Sequence, residues 1–297
     1  MNKLKHYITE IRKNWKNRNW WKDRFIYYVI GNYYKKKPNR GIYVMEEDWD
    51  NLIILDACRY DTFVEVTKTD AEYRISRGSS TPDFLCKNFV NHKFRDTVYV
   101  TANPWVDKLC NKSFYDILSV WRYEWNEELG TVHPESVAEY GLRAEEKYPD
   151  KRLIVHFLQP HWWYLSDPEL AKMVANKQST GEIIGSPWRL VEKGLLELDR
   201  VYDAYKRDLK IVYRYSLELV KKLNGKTIIT ADHGEAFGEK VFGIFSFLGH
   251  RDNLYIPILI KVPWLVFNSA ERKEIKISDE KQRLKNQIRK MKRKSKV

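Results

Sequence analysis

Residues 227–235 read Thr-Ile-Ile-Thr-Ala-Asp-His-Gly-Glu, a short apolar run that passes directly into adjacent acidic and imidazole side chains. The run Thr227–Thr230 has the β-branched, apolar composition of a buried strand. Where such a strand stops the backbone turns, and Asp232 and His233 can then both reach one cation. Gly234 permits the turn because it has no side chain to crowd the ion. An ordinary turn after a strand is the alternative interpretation.

Four further runs share this composition and are close to strand length. They are Leu52–Leu55, Val98–Thr101, Leu153–Leu158 and Ile256–Val262. Helices are predicted between the runs, at Pro82–Val90, Pro134–Tyr148 and about Val191–Leu223. Because strands alternate with helices, the sequence predicts an α/β fold with a mostly parallel central sheet and helices on both faces.

Polar side chains stand at the ends of three of the predicted strands. The first strand runs into Asp56, the third contains His156 and ends before His161, and the fourth runs into Asp232 and His233. Ligands of open α/β sheets bind beyond the carboxyl ends of the strands, which meet at one edge. The sequence therefore predicts a metal site at that edge. Asp56 alone has an alternative role, the capping of the helix that follows it.

Several segments resemble, in order along the chain, the motifs of one enzyme family. They are Leu52–Asp61, His156–His161, Tyr202–Leu223 with Thr230–Gly238, and Gly249–Pro263. Together they span roughly residues 49–264 and resemble the alkaline phosphatase and sulfatase-like superfamily. The resemblance implies a metal-dependent α/β enzyme that cleaves or transfers a phospho- or sulfo-ester.

The resemblance also implies roles for individual side chains, carried over by position. The implied metal ligands are Asp56, Asp232 and His233, and the implied binders of the anionic group or of a second metal are His161 and His250. One or two divalent ions are therefore expected. His156 has two interpretations, because it lies inside an apolar strand: a hydrogen-bonded core histidine, which that position favours, or a further ligand.

The nucleophile is expected at the start of the helix between the first two strands, where backbone amides and the helix dipole stabilise an anion. Ser79-Ser80-Thr81-Pro82 occupies this place. Ser80 lies two residues before the proline, as does the Ser or Thr nucleophile of phosphodiesterase-type members that it resembles. Ser80 is therefore the predicted catalytic, metal-bound hydroxyl, with Thr81 and Ser79 as alternatives. Capping of the helix by Ser80 or Thr81 is the structural interpretation.

Three departures from the sulfatase pattern favour phosphate over sulfate. Phe84 stands where formylglycine sulfatases have arginine, Ala57 where they have a second aspartate, and His233 where they have asparagine. An imidazole in place of the amide favours zinc or manganese over calcium. We therefore expect a phospho-ester hydrolase or phosphotransferase with a serine nucleophile. The alternatives are a sulfatase and a non-catalytic sulfatase-like binding module.

The positive charge of the chain is concentrated at its two ends. Residues 1–40 carry 12 Lys/Arg against 2 Asp/Glu, and residues 271–297 carry 12 against 4, whereas the whole chain has a net charge of +13. The body between the ends is therefore mildly acidic. We expect a basic, aromatic extension at residues 1–40, a catalytic domain at 41–268 and a basic helical tail at 269–297.

The N-terminal extension has an amphipathic pattern. Leu4, Ile8, Ile11 and Trp15 share one helical face, with lysines and arginines on much of the rest. Such a helix binds an anionic membrane surface or docks on the catalytic domain. A membrane- or glycan-linked phospho-ester substrate is expected from the family and the basic ends. Nucleic acid is not expected as a partner, because no RRM, KH or helix-turn-helix motif is present.

Cysteine content and hydropathy predict a cytoplasmic protein that is at most peripheral to a membrane. Cys58, Cys86 and Cys110 are few, odd in number and without CxxC spacing. No apolar run approaches the ~20 residues of a transmembrane helix. The N-terminal segment also lacks the form of a signal peptide.

Overall fold

The computed structural model describes residues 3–37, 39–178, 186–241, 243 and 245–277. Its strands are β1 (Asn51–Asp56), β2 (Glu72–Ile75), β3 (Phe94–Thr101), β4 (Phe114–Ser119), β5 (Trp125–Asn126), β6 (Thr131–Val132), β7 (Arg152–Pro160), β8 (Thr227–Ala231), β9 (Ala236–Val241), β10 (Phe245–Gly249) and β11 (Lys261–Phe267). Its helices are α1 (Lys3–Asn14), α2 (Arg18–Phe25), α3 (Gly31–Lys36), α4 (Tyr60–Thr67), α5 (Thr81–Asn88), α6 (Pro104–Cys110), α7 (Trp121–Glu124), α8 (Pro134–Lys147), α9 (Pro168–Gln178), α10 (Pro187–Glu192), α11 (Leu198–Lys222) and α12 (Pro257–Ile260). A π-helical segment, Ile26–Ile30, joins α2 to α3, and a 3-10 turn spans Val44–Glu46.

Seven strands form the central sheet, in the order β2-β11-β8-β1-β7-β3-β4. β1 lies in the middle and pairs in parallel with β7 and β8, while β11 runs antiparallel to both of its neighbours. The predicted α/β fold with a mostly parallel sheet is confirmed. The register sets Leu55 of β1 beside Ala231 of β8. The residues that follow these two strands therefore leave the sheet at the same level.

Helices cover both faces of this sheet. On one face α4, α8 and α11 bury Phe63, Val137 and Leu209 against the strands. On the other face α5 and α6 bury Leu85 and Val106. Each of these five side chains is fully buried, and burial of a large apolar side chain contributes on the order of 1.5–3 kcal/mol. The two layers hold the strand ends, and with them the polar residues, in fixed positions.

The apolar run Ile256–Val262, predicted as one strand, is divided in the structure. Pro257 begins the short helix α12, and β11 begins only at Lys261. Proline suits the first turn of a helix because its fixed φ is helical and its missing N–H has no partner there. The strand is therefore displaced toward the C-terminus relative to the prediction.

The helix predicted from about Val191 is two helices in the structure. α10 ends at Glu192 and α11 begins at Leu198. Gly194, between them, has a φ of +67°, the left-handed conformation that commonly follows the end of a helix. The edge strands β2 and β4 were not among the predicted runs.

The N-terminal extension both docks on the domain and exposes apolar side chains. Ile26 and Ile30 are 1% and 3% exposed and belong to a buried cluster with Leu254 and other residues that follow the site motifs. By contrast, α1, α2 and the turn between them expose large apolar side chains. They include Ile8, Ile11, Trp15 and Trp21. Within the described part of the chain, no helix combines the length and the apolar character needed to cross a bilayer.

Residues 268–277 follow β11 without regular structure and are held to the domain by charge pairs. Arg272 bonds Asp48 (Nη2–Oδ1 2.7 Å) and Asp50 (Nε–Oδ2 2.5 Å). The predicted tail helix falls on residues 278–297, which lie outside the described residues. The boundaries expected at 40/41 and 268/269 therefore stay predictions.

Candidate active site and metal centre

The carboxylates of Asp56 and Asp232 meet at the carboxyl edge of the sheet. Asp56 is the last residue of β1, and Asp232 follows β8, its parallel neighbour. Both side chains are almost completely buried, as is that of His233. The backbone N–H of Ala57 donates to Asp232 Oδ1 at 3.0 Å, which fixes one carboxylate against the other strand. A side-chain carbon at Gly234 would clash with the carbonyl oxygen of Ile258, so this turn requires glycine.

Thr81, the first residue of α5, places its hydroxyl at the centre of these groups. Its Oγ1 lies 2.8 Å from Asp232 Oδ2 and 3.4 Å from each oxygen of Asp56. His233 Nε2 is 3.3 Å away on another side. One hydroxyl, two carboxylates and one imidazole therefore converge from three separate elements, in the part of the fold where the sequence predicts the metal.

The structure does not bring Ser80, the predicted nucleophile, into this cluster. Ser80 is the N-cap of α5: its Oγ accepts a hydrogen bond from Asp83 N at 3.2 Å and donates one to Asp252. Ser79 is also turned away, because its Oγ donates to the carbonyl oxygen of Arg251 at 2.8 Å. An N-cap side chain folds back over its own helix. Of the three neighbouring hydroxyls, only that of Thr81 reaches Asp56, Asp232 and His233.

The two ring nitrogens of His156 differ: one is hydrogen-bonded in the core, and the other is available as a metal ligand. Its Nδ1 is 2.9 Å from the hydroxyl oxygen of Tyr99 in β3, whereas its buried Nε2 has no hydrogen-bond partner. That Nε2 faces Asp56 Oδ2 at 3.9 Å and Asp232 Oδ2 at 3.8 Å. Burial lowers the pKa of His156 to about 4, so the ring is neutral at pH 7. A buried nitrogen without a partner carries a cost that a cation shared with the carboxylates would remove.

The chemistry of these donors fits a divalent cation. Burial, and next the charge of Asp232, raise the pKa of the Asp56 carboxyl well above its ordinary value. Burial also lowers the pKa of His233 well below its ordinary value, which keeps the imidazole neutral. Neutral imidazole and carboxylate oxygens are ligands for zinc and manganese. Asn103 Nδ2 donates to Asp56 Oδ2 at 2.7 Å and orients it, as supporting residues of metal sites commonly do.

A second group of donors, His161, Glu235 and His250, lies beside the first. Their ligand atoms are all within 4.8 Å of one another. His250 Nδ1 is 2.9 Å from Glu235 Oε1, and its ring centroid lies 4.3 Å from that of His233. Burial lowers the pKa of His250, but the Glu235 carboxylate more than offsets this, so that its pKa is raised. Burial lowers the pKa of His161 well below its ordinary value. The two imidazoles therefore favour different protonation states.

Two residues of the site were not predicted from the sequence, and both could have been. Asn103 comes shortly after the end of β3, and Asp56 is the last residue of β1. The expectation that ligands lie at the carboxyl ends of strands therefore applies to both. Glu235 stands in the Asp-His-Gly-Glu segment itself, and after the turn at Gly234 its Oε1 lies 2.9 Å from His250 Nδ1. All six predicted site residues except Ser80 lie in the two neighbouring groups of donors.

No family model matches the chain, and no curated protein matches it significantly. Thirty solved chains do match. One is the C-terminal periplasmic domain of EptC from Escherichia coli in complex with Zn (12% identity, TM-score 0.46, 74% of this chain and 72% of that chain). Another is the C-terminal periplasmic domain of the phosphoethanolamine transferase EptC from Campylobacter jejuni (14%, 0.47, 74% and 78%). A third is a 2-O GAG sulfatase (10%, 0.44, 77% and 65%).

The predicted cytoplasmic location is contradicted by this comparison, since the EptC domains are periplasmic. The prediction rested on the cysteines, the hydropathy and the form of the N-terminal segment, and the argument from the cysteines was incomplete. Cys58, Cys86 and Cys110 are free thiols, and Cys58 and Cys110 are buried in the domain. A low cysteine count excludes a scaffold built on disulfides. It does not exclude an oxidising compartment for a domain that has a large hydrophobic core.

The structural matches are phosphoethanolamine transferases and sulfatases. At these identities and TM-scores they say nothing about the substrate of this chain. Both classes of enzyme are members of one group, and it is the group that the sequence motifs resemble: the alkaline phosphatase and sulfatase-like superfamily.

Proposed function

We propose that the protein is a divalent-metal-dependent phospho-ester hydrolase or phosphotransferase whose nucleophile is Thr81. The observation that carries this proposal is the position of Thr81 Oγ1, within 3.4 Å of both carboxylates and of His233. The hydroxyl donates to Asp232 Oδ2 at 2.8 Å, and it also lies within 3.4 Å of the oxygens of Asp56 and of His233 Nε2. A nucleophile held among metal ligands requires this arrangement.

The ligands of the cation would be Asp56, Thr81, Asp232 and His233, with His156 Nε2 as a further donor. A zinc or manganese ion bound there acts as a Lewis acid that lowers the pKa of the hydroxyl and offsets charge on the phosphoryl oxygens. Thr81 stands at the start of α5, where the helix dipole also favours negative charge.

The side chains of the two donor groups have different roles in the reaction. Thr81 Oγ1 forms a bond to phosphorus while the bond to the leaving oxygen breaks, and the hydroxyl proton is lost to solvent water; before this step the hydroxyl lies 2.8 Å from Asp232 Oδ2. His161 and His250 face the same space and would bind the phosphoryl oxygens. His250, held by Glu235, gives the leaving oxygen its proton. Water or an acceptor alcohol then attacks the phosphothreonine, so a hydrolase and a transferase use the same residues.

Phosphate esters should be turned over at least about tenfold faster than sulfate esters, a difference of ~1.4 kcal/mol in barrier. The reason is that Phe84 of α5 is buried in the core, where formylglycine sulfatases have the arginine of their sulfate site. The measurement is turnover of 4-nitrophenyl phosphate, bis-(4-nitrophenyl) phosphate and 4-nitrophenyl sulfate, each with zinc, manganese, magnesium and calcium.

Two results would contradict this proposal. Dominant sulfatase activity with a formylglycine mass shift at Ser80 or at a cysteine would make the protein a sulfatase. If the protein retains no metal and turns over none of the three esters, it is a non-catalytic binding module. Metal content by mass spectrometry separates the second result from a merely slow enzyme.

We also propose that α1, α2 and the turn between them bind an anionic membrane surface. Deletion of residues 1–24 should release the protein from anionic liposomes. This segment carries eight Lys/Arg and two Asp/Glu and exposes Ile8, Ile11 and Trp15. Basic residues contribute on the order of 1 kcal/mol each near such a surface, and apolar insertion adds a contribution that salt does not screen. Liposome flotation measures the binding.

The deletion ends before Ile26 and Ile30 because these side chains pack in the domain. The shortened protein should therefore keep its fold and its turnover of a small soluble ester. Uncharged liposomes are the matched control, since they remove the attraction to the lysines and arginines alone. If the full chain floats with anionic liposomes no better than the shortened chain, the extension is a structural element only.

A further inference from the structure

A pocket of about 450 Å³ opens directly beside the proposed nucleophile, with Asp56, Thr81, His161 and His250 in its wall. Five of the eleven tryptophans of the chain line it: Trp105, Trp125, Trp162, Trp163 and Trp188. Its volume lies in the range of small-molecule sites, and such sites combine aromatic walls with a few polar groups. Whatever carries the reacting ester must therefore lie against indole rings.

The indoles come from four separate parts of the fold, and neighbouring residues hold them in place. Trp188 in α10 packs edge-on against Phe237, with ring centroids 5.2 Å apart. It also covers Gly249, where a side-chain carbon would be 2.8 Å from its ring. Trp163 covers Gly130 in the same way, at 2.9 Å. These two glycines leave room for the rings, so this part of the wall is formed before any ligand binds.

Two further indoles form the open side of the pocket. Trp105 and Trp125 are 38% and 36% exposed. Trp105 lies at the start of α6, where its backbone N–H donates to Asn103 Oδ1 at 3.0 Å, and Asn103 also bonds Asp56. Trp162 packs on His161 with centroids 5.1 Å apart. Indole rings therefore line the pocket both beside His161 and at its solvent-exposed side.

The charge of the lining selects the kind of ligand. Although the chain carries 53 Lys/Arg, none of the described residues that line this pocket is a lysine or an arginine. Proteins bind the further charges of a nucleotide or another polyanion with basic side chains, which the described lining does not offer; Lys108, whose Nζ lies 4.1 Å from the centroid of the Trp105 ring, is not part of it. Among the described residues of the lining, Asp56 alone has a carboxylate, and it faces the proposed cation, so a cationic ligand would find no second carboxylate there.

The polarity of the lining argues against an acyl chain. Aliphatic lining is limited, among the described residues, to Leu158 and Leu248 besides two prolines, whereas Asn103, Ser186 and the two histidines present polar atoms. An acyl chain would bury such groups without hydrogen bonds, which is costly. A neutral pyranose ring suits this lining, because its axial C–H face is flat and apolar and its hydroxyls point outward at the ring edge. Such a ring covers an indole and still bonds polar groups and water.

We propose that this five-tryptophan pocket seats a neutral sugar ring of the substrate, so that the phospho-ester cleaved or transferred at Thr81 is borne on a neutral saccharide. This inference rests on the proposed function for the identity of the reacting group. The binding of the sugar itself depends only on the pocket.

The test uses the full chain and three neutral probes: maltotriose, cellotriose and chitotriose. We expect at least one of them to quench the indole fluorescence and to inhibit turnover of 4-nitrophenyl phosphate competitively. In Trp105→Ala and in Trp162→Ala the affinity for that trisaccharide should fall by at least about tenfold, the size expected for loss of one aromatic face. Tyr123→Ala is the matched control: this side chain is 76% exposed, lies two residues from Trp125 and does not line the pocket, so affinity should be unchanged. Thermal melting of each variant verifies the fold.

The inference is overturned if none of the three trisaccharides binds at millimolar concentration, or if the tryptophan variants bind like the wild type. It is also overturned if tetramethylammonium or octyl phosphate binds in place of the sugars, since the pocket then selects a cation or an acyl chain. Fluorescence does not depend on turnover. Sugar binding by a protein that cleaves no phosphate ester therefore rejects the proposed function alone, whereas ester cleavage without sugar binding rejects the pocket inference alone.

Discussion

Asp232→Asn and His233→Ala should each yield a folded protein that neither retains a stoichiometric divalent cation nor turns over a phosphate ester. Both side chains are fully buried and lie within 3.5 Å of each other and within 3.3 Å of Thr81 Oγ1. The site has four or five ligands, and loss of one of them strongly lowers its affinity for the cation. Without the cation, the buried carboxylate groups that remain have no counter-charge. Metal content by mass spectrometry and turnover of 4-nitrophenyl phosphate are the two measurements.

Matched controls for these variants are Asp203→Asn and His133→Ala, since these side chains are 57% and 43% exposed and neither belongs to the two groups of converging donors. They should keep the cation and the activity. His156→Gln should have an intermediate effect: in a competitive chelator titration its zinc affinity should be about 10- to 100-fold weaker than that of the wild type. Full activity of the wild type in excess chelator, with no bound metal detected, would contradict the assignment of the whole cluster.

Thr81→Ala should lower kcat by at least about a thousandfold, or ~4 kcal/mol of barrier, while the fold is retained. The substitution removes a hydroxyl that contacts both carboxylates and His233. Thr81→Ser restores a hydroxyl at the same atom and should recover most of the activity. The measurement is steady-state turnover, together with mass spectrometry of the quenched enzyme, in which a phosphate adduct should lie on the peptide that contains Thr81.

Ser80→Ala is the matched control, one residue away on the same helix. It removes the N-cap hydrogen bond to Asp83 N, so it should cost about 1 kcal/mol of unfolding free energy and leave kcat within a few-fold of the wild type. If Ser80→Ala abolishes turnover and Thr81→Ala does not, the nucleophile is Ser80 and not Thr81.

The fold could be predicted because its signals are local. Thr227–Thr230 and Leu52–Leu55 are apolar runs of strand length, and both are fully buried strands in the structure. The residues that follow such strands are then brought to one edge by the topology alone. Asp56, Asp232 and His233 could accordingly be assigned to a common site before any distance was known.

The identity of the hydroxyl could not be predicted in the same way. Ser80 and Thr81 are neighbours, and which of them faces the metal ligands depends on the backbone at the helix start. Ser80 has φ and ψ of −161° and 163°, so its side chain turns back over α5 as an N-cap and Thr81 takes the inner position. The same limit applied to His156, because an apolar strand predicts its burial but not which ring nitrogen finds a partner.

Asn103 links the metal ligand Asp56 to Trp105 in the wall of the pocket. Through its amide nitrogen it holds Asp56 at 2.7 Å, and through its amide oxygen it accepts the N–H of Trp105 at 3.0 Å. A ligand that shifts α6 as it settles on Trp105 therefore also moves the group that orients Asp56. Attempts to re-engineer the pocket for a larger or smaller substrate would, for this reason, alter the reaction centre as well. Substitutions at Trp125, which has no such link to Asn103 in the described residues, offer a route to new substrate preference that leaves the support of Asp56 unchanged.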